Sequence, residues 1–251
     1  MRRKYSWFAL MTLVLTSFVS TAPPKLKIYL IGDSTLAVKS AGAFPETGWG
    51  MPFANFFSEE VLVDNRAKNG RSTKTFISEN LWAPVVTGLH KGDYVIIQFG
   101  HNDEVSTKAS YTPEAEFVRN LSKFVQESLG KGAFPVLITP VARRSFDDSG
   151  KVKETHKVYA QLVRDLAKSL GIPLIDLDLK SQALLQQYGP EQSKLLFNHL
   201  EPGEHPNYPA GKKDDTHFNE LGAREMAQLV LKEMRVLKLP VLTYLAKNKA
   251  D

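Results

Sequence analysis

Four short segments carry the residue types that acyl transfer needs. Ser34 stands in Ile31-Gly-Asp-Ser-Thr35, where Gly32 allows a tight turn that leaves a hydroxyl at the end of an apolar run. Gly70, in Asn65-Arg-Ala-Lys-Asn-Gly-Arg-Ser-Thr73, can present a backbone N–H with no Cβ in the way. Asn102, in Phe99-Gly-His-Asn-Asp103, supplies an amide NH2, and an amide donor aimed with a backbone N–H at one point makes an oxyanion hole. Asp214-Asp-Thr-His217 puts a carboxylate just ahead of an imidazole. One turn would let that carboxylate hold one ring nitrogen while the other takes a proton from Ser34. Each segment also has a plain structural reading: Ser34 as a helix N-cap, Gly70 and Asn102-Asp103 as turn residues, Asp215 or Asn219 as the cap of the following helix.

Two other carboxylates compete for the role of Asp214. Asp33, beside Ser34, reads as a tie for the turn through backbone N–H groups, and the Asp-x-x-His spacing selects Asp214 over Asp215. The remaining histidines, His90, His101, His156, His199 and His205, have no such partner nearby in sequence and read as solvent-facing or structural. Leu36 occupies the second glycine position of a Gly-x-Ser-x-Gly elbow, which argues against an ordinary α/β-hydrolase.

The elements that must position these groups read as alternating strands and helices. Lys27–Ile31, Tyr94–Phe99, Pro135–Ile138 and Pro173–Asp176 are short apolar runs of the kind found in buried parallel strands, with Val61–Val63 a weaker fifth. Helical spacing joins Phe117, Leu121, Phe124 and Val125, with Thr112 as cap and Pro113 at the first position. It also joins Val158, Leu162, Val163, Leu166 and Leu170, and then Met226, Leu229, Val230, Met234 and Leu237. The pattern predicts an α/β fold, a parallel sheet covered on both faces, with ligands at the carboxyl ends of its strands. Gly189–Asp215, rich in Pro, Gly, Asn and His, reads as one long irregular segment.

Composition narrows the chemistry. The 251 residues are 43% hydrophobic and 24% charged, an ordinary globular balance, and the chain has no Cys. Disulfides, thiolate metal sites and a Cys nucleophile are therefore excluded. Of the net charge of +5, Arg2, Arg3 and Lys4 carry three, leaving +2. A nearly balanced remainder without a basic-aromatic motif gives no support to nucleic-acid binding. Those three residues precede an uncharged stretch, strongly apolar from Trp7 to Val19, that Thr and Ser dilute and Pro23-Pro24 ends. This reads as a secretory leader over residues 1–22, its cleavage point left open, and not as a membrane anchor. The expectation is an exported protein, periplasmic or extracellular, with residues 23–251 forming one domain and acting as a monomer.

The order of the four segments makes a resemblance specific. Ser34, Gly70, Asn102 and His217 match the four residues that name the SGNH (GDSL-type) hydrolases. Within them, Gly32-Asp-Ser-Thr35, Gly48-Trp-Gly50, Phe99-Gly-His-Asn-Asp103 and Asp214-Asp-Thr-His-Phe218 resemble the rhamnogalacturonan acetylesterase group. The resemblance implies a flavodoxin-like α/β/α sandwich of about five parallel strands, no metal and no cofactor. It implies Ser34 as nucleophile, His217 as base and Asp214 as its orienter. The N–H groups of Ser34 and Gly70 and the Asn102 amide would form the oxyanion hole. The implied partner is an acetylated pectic polysaccharide or oligosaccharide.

Four residues are candidates for touching that substrate: Trp49 as a platform for a sugar face, and Arg71, His205 and Lys212 as polar or cationic groups at the rim. Lys74, Asn207, Tyr208 and Lys213 lie close to these in sequence. Buried packing for Trp49 and plain solvation for the charges are the competing readings. Two rival functions are a lipase, phospholipase or thioesterase sharing the triad, and a non-catalytic carbohydrate-binding or metal-binding protein. The polar, prolyl stretch Phe197–Asp215 disfavours a fatty-acyl groove, and the absence of His-x3-His or His-Glu-x-x-His spacing disfavours a metal.

Overall fold

A computed structural model describes residues 25–247; the expected leader lies outside the described residues. The chain runs β1 (Leu26–Gly32), α1 (Gly50–Phe53), β2 (Val61–Asn65), α2 (Thr73–Ser78), α3 (Ala83–Gly88), β3 (Tyr94–Gln98) and α4 (Glu114–Gly130). It continues through β4 (Phe134–Ile138), α5 (Lys157–Leu170), β5 (Leu174–Ile175), α6 (Leu177–Gln192), β6 (Phe197–Leu200), β7 (Lys212–Phe218) and α7 (Glu220–Val236). Five strands form one parallel sheet in the order β2-β1-β3-β4-β5.

Strand pleating divides the core into two layers. Alternate residues of a strand face opposite sides, so Ile28, Leu30, Ile96, Val136 and Ile138 pack with α1, α6 and α7 through Trp49, Phe53, Leu185, Met226 and Val230. Their neighbours Tyr29, Ile31, Val95, Ile97 and Leu137 pack with α2 to α5 through Phe76, Val85, Phe117, Phe124 and Val163. The result is the expected three-layer α/β/α sandwich.

The helices differ from expectation in detail. The buried face of α5 is Tyr159, Ala160, Val163, Leu166 and Ala167, while Val158 is 49% exposed. Tyr159 claims the inside because its ring packs on Phe117 and its hydroxyl donates to the Thr112 carbonyl at 2.6 Å. Pro113 is itself the N-cap of α4, and the Thr112 hydroxyl donates to the Ser110 carbonyl at 3.2 Å instead of capping the helix. Leu237 follows the end of α7 and is exposed.

The segment expected to be irregular is largely ordered. Gly189, non-helical at φ 72°, breaks α6 into two helical pieces, and β6 and β7 form an antiparallel hairpin. Turn-forming composition hides that hairpin in the sequence; it is anchored by Phe197 and Phe218, both buried with ring centroids 5.1 Å apart. Irregular chain remains only between those strands, from Glu201 to Gly211.

Candidate active site

The hairpin builds the site. Phe197 pairs with Phe218, but the next residue of β6, Asn198, pairs with Asp214. Asp215, Thr216 and His217 therefore bulge out of the ladder, as extra residues on one strand must. Within the bulge, Asp214 Oδ1 accepts the N–H groups of Thr216 (2.9 Å) and His217 (3.0 Å). The carboxylate thus closes the turn that the Asp-x-x-His spacing predicts. Its other oxygen, Oδ2, lies 2.9 Å from His217 Nδ1, and His217 Nε2 lies 2.9 Å from Ser34 Oγ.

Electrostatics fix the direction of this chain. Burial raises the Asp214 carboxyl pKa, but the side-chain and backbone bonds from His217, its charge and the Thr216 N–H outweigh that and hold it well below the usual range. An ionised carboxylate only accepts, so Nδ1 carries the proton in the neutral ring. Nε2 is left to accept from the Ser34 hydroxyl. A serine whose proton can pass to an oriented imidazole is an activated nucleophile.

Ser34 is held by a buried network. Asp33 Oδ1 accepts both the N–H (2.9 Å) and the hydroxyl (2.8 Å) of Thr35, so Asp33 ties the turn as expected. Gln98, at the end of β3, donates to Thr35 Oγ1 at 2.7 Å and accepts from Trp49 Nε1 at 2.7 Å. Trp49 is fully buried, which corrects its assignment as a sugar platform: the indole is too large to leave a core that also needs its N–H. The flanking glycines serve the same packing, since a Cβ on Gly48 would sit 2.0 Å from the Ala37 carbonyl.

The other candidate donors lie on two further loops. Gly70 has φ 75°, a left-handed conformation that favours glycine. The N–H groups of Ser34 and Gly70 have no acceptor among the described residues. Asn102 gives one amide hydrogen to the Arg71 carbonyl at 3.1 Å, which fixes its side chain and leaves its second hydrogen free. Asp103 Oδ1 accepts the N–H (2.9 Å) and hydroxyl (2.6 Å) of Thr73 at the start of α2. The Asn102 turn and the Gly70 segment are thereby tied together twice. Burial, only partly offset by the Thr73 bonds, pushes the Asp103 carboxyl up to about 7.

Asp215 faces the other way. Its Oδ1 accepts from Arg144 at 2.7 Å and lies 2.8 Å from His199 Nε2, so it braces the outside of the bulge. Among the substrate candidates, Lys212 comes nearest the triad, its Nζ 3.7 Å from Asp214 Oδ2. Arg71 turns its guanidinium to Glu79 at 2.8 Å. His205 packs on Phe44, centroids 5.4 Å apart, and accepts the Asn207 N–H. A cavity of about 690 Å³ lined by Lys194, His199, Lys212 and Lys213, but also by Glu201, Glu204 and Glu220, includes neither Ser34 nor His217.

Sequence reasoning passed over Gln98, Arg143 and Arg144, and treated the histidines singly. His101 and His156 are buried, their rings 4.2 Å apart. Burial, with the nearby His156, Arg143 and His217, keeps His101 well below the usual imidazole range and hence neutral. Their distance in sequence, with a strand and a helix between, hides the pairing.

Residues 30–225 match the model of the GDSL-like lipase/acylhydrolase family. The chain belongs to that family and is a hydrolase of carboxylic esters. It is 42% identical over 224 residues to the rhamnogalacturonan acetylesterase RhgT of Bacillus subtilis, covering 89% of this chain and 96% of that one. It is 34% identical over 224 residues to YesY of the same organism, named a probable rhamnogalacturonan acetylesterase, covering 88% and 98%. The solved structure of Bacillus subtilis YxiM superposes with a TM-score of 0.74 at 25% identity, covering 86% of this chain and 58% of that one.

Proposed function

We propose that this family member is an exported esterase that removes O-acetyl groups from rhamnogalacturonan-type pectic polysaccharide. The observation that carries the chemistry is the unbroken relay from Ser34 Oγ to His217 Nε2 and from Nδ1 to Asp214, each step 2.9 Å. The names of the two Bacillus relatives support the substrate, and the basic, apolar leader supports export.

His217 takes the Ser34 proton as the hydroxyl oxygen attacks the acetyl carbonyl. The N–H groups of Ser34 and Gly70 and the free amide hydrogen of Asn102 receive the developing oxyanion, and Asp214 stabilises the imidazolium. The sugar oxygen leaves with the proton from His217, and water repeats the sequence on the acetyl-serine.

Acetate release from acetylated rhamnogalacturonan by leaderless protein tests both parts, with Ser34→Ala and medium-chain p-nitrophenyl esters as controls. Release that the substitution abolishes is expected. Cleavage of the longer esters through Ser34 with the polysaccharide untouched would keep the mechanism and overturn the substrate.

A further inference from the structure

The two halves of the site come from distant parts of the chain, and one side chain joins them. Arg143 lies in the loop after β4, where its N–H donates to Thr155 Oγ1 at 3.0 Å. One terminal nitrogen of its guanidinium donates to Thr216 Oγ1 at 2.8 Å, and the other to the His101 carbonyl at 3.2 Å. Thr216 immediately precedes His217, and His101 immediately precedes Asn102. The guanidinium therefore spans the base bulge and the oxyanion turn. Among the described residues no other side chain hydrogen-bonds to both segments.

Further contacts hold the fork in place. Glu104 Oε1 lies 3.5 Å from the Arg143 nitrogen that meets His101, and 2.9 Å from His156 Nδ1 without hydrogen-bond alignment. Arg144, the next residue, grips the outside of the same bulge: its backbone N–H donates to the Asp215 carbonyl at 2.8 Å and its side chain bonds the Asp215 carboxylate. One loop thus clamps the base from two sides, and only the Arg143 side reaches the oxyanion turn.

We propose that Arg143 is a positioning residue for ester hydrolysis, setting His217 and Asn102 at the separation that one tetrahedral intermediate requires. The idea rests on the serine mechanism proposed above. A planar guanidinium can bond two carbonyl or hydroxyl acceptors at once, whereas an ammonium is a single point donor on a flexible stem. Misplacing catalytic groups by an ångström costs rate without costing affinity for a small substrate.

The test uses p-nitrophenyl acetate, a neutral ester too small to reach the surrounding surface, with thermal unfolding measured alongside. Arg143→Ala is expected to lower kcat on the order of 100-fold with KM changed by less than about threefold. Arg143→Lys should remain close to the Ala variant, and millimolar guanidinium should restore part of the activity of Arg143→Ala alone. Thr216→Val removes the other partner while keeping the Thr216 N–H bond to Asp214. It should lower kcat in the same direction, and the double variant should be no worse than Arg143→Ala, the signature of a shared interaction.

A fully active Arg143→Lys would overturn the bridge in favour of charge alone. Additive losses in the double variant, a change in KM only, or activity that tracks lost thermal stability would also overturn it. Ser34→Ala separates the two ideas: if it retains activity, the serine mechanism itself fails. If it is inactive while Arg143→Ala keeps its kcat, only the bridge fails.

Discussion

The base bulge and the loop that precedes it are consecutive in sequence and opposite in construction. From Asp214 to His217 nearly every polar group is committed: Asp214 to two N–H groups and an imidazole, Asp215 to Arg144 and His199, Thr216 to Arg143. Between Glu201 and Gly211 the chain bonds mainly to itself and, through Asn207 and Tyr208, to the carbonyls of Ala41, Ala43 and Phe44. Proton transfer needs groups held to within fractions of an ångström, and the bulge is built for that. Contact with an extended, solvated substrate tolerates a looser surface.

The sharpest way to break this contrast lies inside the bulge, where adjacent carboxylates have unlike duties. Asp214→Asn removes the acceptor that keeps the proton on His217 Nδ1 and should lower kcat by about 10⁴, the loss known for the corresponding change in a serine protease. Asp215→Asn keeps an oxygen for Arg144 and should change kcat by less than about tenfold while lowering stability by about 1–2 kcal/mol. Steady-state kinetics on a small ester and thermal melts of both variants check this. Equal losses of kcat would dissolve the distinction.

Asn102→Ala comes next. It deletes one proposed oxyanion donor and leaves the relay intact, so kcat should fall by about 10²–10³ with KM for a small ester nearly unchanged. The Arg71 carbonyl also loses its partner, so the kinetics are to be read beside a melting curve.

The third effect appears in stability. A buried carboxyl raised from 3.8 to about 7, as for Asp103, keeps its proton in the folded chain across a range where the unfolded chain has lost it. The folded state binds more protons there, so this group's contribution to stability falls as pH rises from about 4 to about 7 and is level above. Asp103→Asn keeps an oxygen for Thr73 and cannot ionise. Denaturant titrations across that window should show the variant gaining on the parent by an amount on the order of a few kcal/mol. Asp33, also raised by burial, leaves a residual slope of the same sign.

How much of this was legible in the sequence follows from what each residue must satisfy. Ser34, Gly70, Asn102, Asp214 and His217, the proposed catalytic set, could be picked out because few residue types suit such roles and each sits beside a turn. The sheet was legible because buried parallel strands are apolar on both faces. Trp49 was misread because an aromatic between glycines looks the same whether its face meets a sugar or its N–H meets Gln98. Arg143 was invisible because its acceptors are a hydroxyl and a carbonyl far along the chain, and neither leaves a local pattern.

The smallest expected effect concerns the looser region. Lys212 is the one candidate rim cation placed within 4 Å of the triad carboxylate, and its ammonium also lies over the Tyr208 ring at 5.7 Å. Exposed charges contribute little to affinity singly, on the order of 1 kcal/mol or less, and salt screens them. Lys212→Met keeps most of the stem that covers Tyr208 and removes the charge. On an acidic polysaccharide it should raise KM about two- to fivefold at low ionic strength, and the difference should shrink as salt is added. On a neutral acetyl ester KM should stay level, since no substrate charge is there to be met. A fall in kcat on both substrates would instead place Lys212 with the bulge, as part of the machinery that holds Asp214.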